Sequence, residues 1–158
     1  MSAFVLWLAG CAEPMISGPT ALEVGTGQFD FETVEEAQRL PMVQGPQGGY
    51  HVWVALRARN LDPRRLRVDS QLFAAPETDD TGAPLGGEDP EAVGESFFFF
   101  PPFFDDDEDG VWRTAGLPHQ VERTEVRGER LRLEVVATDR DGRTAVGEMI
   151  IRPVNDAE

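Results

Sequence analysis

The sequence predicts an all-β protein: an antiparallel β-sandwich with long loops rich in Gly, Pro and acids. Three observations predict it. Apolar and polar residues alternate with period two in three separate runs, the mark of half-buried strands. Turn residues divide those runs. Helical spacing appears in one short segment only.

Taken in chain order, that segment is Glu32–Leu40, where Val34, Ala37 and Leu40 stand at near-helical spacing. It reads as one or two helical turns, or as a strand and a loop. Gly45 to Gly49, "GPQGG", reads as a bulge or tight turn. In "YHVWVALRARN" the residues Tyr50, Val52, Val54, Leu56 and Ala58 fall on one face; His51, Trp53, Ala55, Arg57 and Arg59 fall on the other. Asn60 to Pro63 then turns the chain. "LRVDSQLF" alternates more loosely through Leu66, Val68 and Leu72. The polar stretch "APETDDTGAPLGGEDPEAVG" reads as a long mobile loop. "LRLEVVATD" places Leu131, Leu133, Val135 and Ala137 on one face. Asp141-Gly142 gives a hairpin signal, and "TAVGEMIIRPV" is a β-branched run whose Pro153 suits an edge or a strand end.

The chain has 158 residues, enough for one ordinary domain with a core. All 14 basic residues are Arg, against 29 acids, and the net charge is −15. Such a field repels phosphates, so nucleic acid is a poor partner, and it attracts cations and basic partners. One cysteine makes no internal disulfide and no Cys-rich metal site.

"RLRLEVVATDRDGRTAVGEMIIRPV" is similar to the final hairpin of immunoglobulin-like and fibronectin type III-like domains, over about the last quarter of the chain. The resemblance implies an immunoglobulin-like sandwich. There is no Cys pair, and Tyr50, the sole Tyr, is not where a tyrosine corner would sit. Closed barrel and jelly roll stand as alternatives.

The N-terminus "MSAFVLWLAGC" holds an apolar run too short to span a bilayer. Leu8-Ala9-Gly10-Cys11 resembles the lipobox of bacterial lipoproteins. The resemblance implies that the signal is cut before Cys11 and that the Cys11 thiol is acylated with more than one chain, enough for stable anchoring. No Arg or Lys precedes the run, which points to a start upstream of Met1. The implied organisation is residues 1–10 as signal, 11–20 as lipidated Cys and tether, and 21–156 as one domain. The implied location is the envelope of a Gram-negative bacterium. Ala12, following the cysteine, favours the outer membrane.

Six of the ten Phe lie in one short segment: Phe97, Phe98, Phe99, Phe100, Phe103 and Phe104. One reading is a strand covered on both faces, then a Pro101-Pro102 break and a solvated acidic loop. The other is an exposed aromatic lip that binds a protein or a membrane.

Asp105, Asp107 and Asp109, followed by Gly110, resemble the opening of a calcium loop, whose hard oxygen ligands suit Ca²⁺. The twelfth position is Gly116 rather than Glu, so the EF-hand pattern fails; Asp139 and Asp141 are further oxygen donors. No other cofactor is indicated. His51 reads as a sheet-face residue and His119, after Pro118, as loop. No G-x-S-x-G elbow is present, and no His stands at a suggestive spacing from Ser17, Ser70 or Ser96. The sequence therefore points to a non-catalytic, lipid-anchored binding or structural module whose partner is another envelope protein. The alternatives are a Ca²⁺-stabilised adhesion or assembly module, and a periplasmic enzyme or enzyme inhibitor with a loop-built site.

Overall fold

The computed structural model describes residues 17–46, 48–77, 91–105, 110–121 and 128–155. Nine strands and no helix occur among them: β1 (Ala21–Gly25), β2 (Gln38–Gln44), β3 (Tyr50–Arg59), β4 (Arg67–Ala74), β5 (Ala92–Phe99), β6 (Phe104–Asp105), β7 (Val111–Val121), β8 (Leu131–Thr138) and β9 (Thr144–Asn155). The hydrogen-bonded order is β5-β4-β8-β9-β2-β3-β7-β6, with β1 pairing β3 off this path.

The chain is all-β, as the alternation implies, but the sheet is mixed rather than purely antiparallel. Gln38–Met42 of β2 run parallel to Ile151–Asn155 of β9, while Val43 and Gln44 pair antiparallel with β3. One strand thus joins the β9 side to the β3 side. The alternation signal cannot report this, because strand direction leaves no trace in a period of two. Within Glu32–Leu40 the strand-and-loop reading holds. Residues 33–37 are irregular and Gln38 opens β2, because Leu40 and Met42 bury on one face at period two.

The faces read from the sequence bury as expected. Val52, Val54, Leu56 and Ala58 of β3, and Leu131, Leu133, Val135 and Ala137 of β8, are core residues. Ala55 is buried as well: it pairs with Gly25 of β1, while the extra residue of the β3–β7 register slip lies on β7, where Ala115 and Gly116 oppose it. The Gly45 to Gly49 stretch closes the β2–β3 hairpin through Gly45 N–H donating to the Gly49 carbonyl at 2.7 Å. Pro153 lies two residues past Ile151, where the β8 ladder ends, so no bond of that ladder is lost to it.

The loop between β3 and β4 is tied to the β8–β9 turn by buried acids. Asp62 accepts from Arg64 at 3.0 Å and pairs with Arg140 at 2.9 Å. The Arg64 bond comes first in holding its carboxyl below the usual carboxylate range, against the opposing effect of burial. Asp139 accepts backbone N–H groups of Asp62, Asp141 and Arg143. The described chain begins at this same end of the molecule. Pro19 accepts from Asn60 Nδ2 at 2.8 Å, Gly18 accepts from Arg143 Nη2 at 2.9 Å, and Thr20 donates to the Thr144 carbonyl at 2.6 Å.

Candidate functional site

The β3–β7 register sets His51 opposite Gln120 and Trp53 opposite Pro118. These four alternate with the buried pairs Val52–His119 and Val54–Leu117, so they occupy the outer face of the ladder. His51 and Trp53 meet edge to face at 4.4 Å between centroids. Tyr50 and the β2–β3 turn close one side, and Phe97 and Phe99 reach in from β5. Together with Pro46 and Gln120 they line a cleft of about 620 Å³. Its walls are chiefly aromatic rings and proline, and His51 is the one ionisable imidazole among them. Partial burial lowers the His51 pKa, which favours the neutral ring. Its Nε2 has no hydrogen-bond partner among the described residues. A cleft of this size, apolar with few polar groups, suits an organic group or a peptide segment.

The six phenylalanines divide by parity. β5 pairs with β4 through Phe99–Val68, Phe98–Asp69 and Phe97–Ser70. Phe97 and Phe99 turn into the cleft and Phe103 packs against the core, whereas Phe98, Phe100 and Phe104 are 64%, 60% and 63% exposed. A strand covered on both faces is therefore not what forms. One face is covered, and Phe98, Phe100 and Phe104 on the other are exposed among the described residues. Arg67 stacks on the Phe98 ring at 5.1 Å while its guanidinium pairs with Asp69.

His119 lies in β7, not in a loop, and is 1% exposed. β7 is bonded to β6 only at Trp112 and Arg113, so Pro118 lies beyond that ladder and costs it no bond. The fold brings Ser70 Oγ of β4 within 3.0 Å of His119 Nδ1, a pair that sequence spacing did not reveal. Phe97 sits edge-on to the same imidazole at 5.2 Å. Burial lowers the His119 pKa to about 4. With Ser70 4% exposed, the pair is enclosed, and it ties β4 to β7.

The lipobox residues Leu8, Ala9, Gly10 and Cys11 lie outside the described residues, as do Asp107 and Asp109. Asp105 pairs its backbone with Trp112 in β6, and the structure describes nothing of its side chain. Among the described residues no three His, Cys, Asp or Glu side chains gather to hold a metal. Asp139, a further oxygen donor in the sequence reading, instead spends its carboxylate on backbone N–H groups. The cleft itself escaped the sequence reading. Of its two halves, His51/Trp53 were legible as one face of an alternating run and Phe97/Phe99 only as members of a Phe cluster; their meeting brings together strands more than 40 residues apart in the chain. Comparison with protein-family models, curated proteins and solved structures finds no match to this chain.

Proposed function

We propose that this chain is a non-catalytic binding module of the bacterial cell envelope, built as an immunoglobulin-like sandwich and carried on a lipid at Cys11. The single observation that carries the binding role is the open aromatic cleft of about 620 Å³ beside the exposed lip of Phe98 and Phe100. Exposed apolar area of this kind costs solubility unless something covers it. The sandwich reading rests on β2, which divides its pairing between β9 and β3, and on the Ser70–His119 bond between β4 and β7. The anchor reading rests on the Leu8–Cys11 motif.

These readings fit one another geometrically. Tyr50 lies in the cleft, and Arg59 lies at the end where Asn60 holds Pro19. The ten residues of β3 separate these points by about 30 Å at about 3.3 Å per residue. A chain tethered through its N-terminal segment holds the cleft away from the lipid, toward a protein partner.

The test is fractionation combined with cross-linking. Wild type is expected in the membrane fraction and Cys11→Ala in the soluble fraction. A photo-crosslinking amino acid placed at Phe98 is expected to give a discrete higher-mass adduct. The same group at Val146, also exposed but on β9, is expected to give none. Equal fractionation of both proteins would overturn the anchor, and equal labelling from both positions would overturn the binding surface.

A further inference from the structure

The two ends of the strand order differ. β6 is two residues long, a blunted edge of the kind that resists pairing with other chains. β5 is eight residues long, carries Phe97, Phe98 and Phe99 in succession, and has no Lys, Arg or Pro. Among the described residues no strand pairs with its other edge. The one charge of β5, Glu95, is acidic and lies where the β4–β5 register shifts; beyond that shift Phe97–Phe99 form an apolar edge, a template for another strand and one that favours a basic partner.

The charge is not spread evenly along the chain. Residues 68–112 hold 13 of the 29 acids and none of the 14 arginines, so the remainder of the chain is close to neutral. Acids stand on both sides of β5 in sequence: Asp79, Asp80, Glu88, Asp89 and Glu91 before it, and Asp105 to Asp109 after it. Two copies meeting at this edge would bring like charges together. A basic partner gains from the same field. The chain's own Arg67, stacked on the exposed Phe98, displays the contact that a partner's cation makes on this face.

We propose that β5 accepts a basic, extended polypeptide segment of another protein as an added strand. Backbone hydrogen bonds to the β5 edge hold it, its cationic side chains lie over the outer phenylalanines, and the chain's net charge of −15 draws it in. This rests on the reading of the Phe98 face as the binding surface, and names the partner's chemistry.

The test titrates the isotope-labelled full chain with three heptapeptides, followed by backbone NMR and fluorescence anisotropy. One alternates Lys and Val, one is the same peptide N-methylated at alternate residues, and one alternates Glu and Val. The Lys peptide is expected to bind at least tenfold more tightly than either of the others. Its affinity is expected to fall as salt rises, its shifts to centre on Ala92–Phe99, and its binding to weaken at least tenfold in Phe98→Ser/Phe100→Ser. Equal binding of the N-methylated peptide, lost in the Phe variant, would overturn strand addition but leave the binding surface standing. Binding of the Lys peptide that ignores the Phe substitutions would remove both. Equal binding of the Glu peptide, absence of binding by all three, or a mass that doubles with protein concentration would each overturn the basic-partner proposal.

Discussion

His119 carries an imidazole into the core with one polar neighbour, Ser70, and its Nε2 has no hydrogen-bond partner among the described residues. Burial disfavours the charged ring, so its pKa sits at about 4 rather than 6.5. Between those values the unfolded chain binds more protons than the folded one. The fold therefore loses stability as pH falls from 6.5 toward 4, by up to about 1.4 kcal/mol per pH unit. His119→Gln removes that titration. The gap in Tm between wild type and variant is expected to narrow as pH is lowered from 7 to 4.5; parallel curves would show that His119 does not titrate in this way. Single residues of this kind are hard to read from sequence. Pro118 and Gly116 on either side of Leu117 look like loop, yet Leu117, His119 and Val121 bury on one face. Gly116 sits at φ 71° against the Gln28 carbonyl, 2.6 Å from where a Cβ would stand, so its glycine marks a close approach rather than a chain break.

β9 shows how much of a strand is set by its neighbours. Its apolar run and the Asp141-Gly142 turn are plain in the sequence, and the β8–β9 hairpin forms in register from Leu131–Ile151 to Thr138–Thr144. The passage of β1 over β9 is not plain. Gly147 lies under it, with the Leu22 carbonyl oxygen 2.5 Å from the position of a Cβ. Gly147→Val is expected to lower the urea midpoint by an amount equivalent to about 1–3 kcal/mol, the usual cost of forcing volume into a packed layer. Val146→Ala, one residue away and 61% exposed, is expected to stay within about 0.5 kcal/mol. A tolerated Gly147→Val would mean that β1 lifts away without loss. β7 went unread at this scale for a definite reason. The register slip opposite Val54–Leu56 changes which parity faces the core, from Thr114 to Leu117, and Val111 buries on the opposite face beside Arg59, so the period of two is erased.

Across the whole molecule the net charge of −15 is concentrated in residues 68–112, where like charges oppose compaction. Raising NaCl from about 10 mM to about 150 mM shortens the Debye length from about 30 Å to about 8 Å. Tm is expected to rise by about 2–4 °C, the equivalent of about 1 kcal/mol in a domain of this size; a fall on adding salt would place the dominant charge effect in ion pairs such as Asp62–Arg140 instead. The sequence by itself determined the all-β class, the buried faces of β3 and β8, the two hairpin turns and the acidic character. Each depends on residues close in the chain, where side-chain alternation and turn chemistry act. Only the tertiary structure decided the parallel β2–β9 pairing, the Ser70–His119 bond, the edge position of β5 and the joining of Trp53 with Phe97 in one cleft. These depend on which strands lie side by side, and that choice is made by the packing of the shared core rather than by any local pattern.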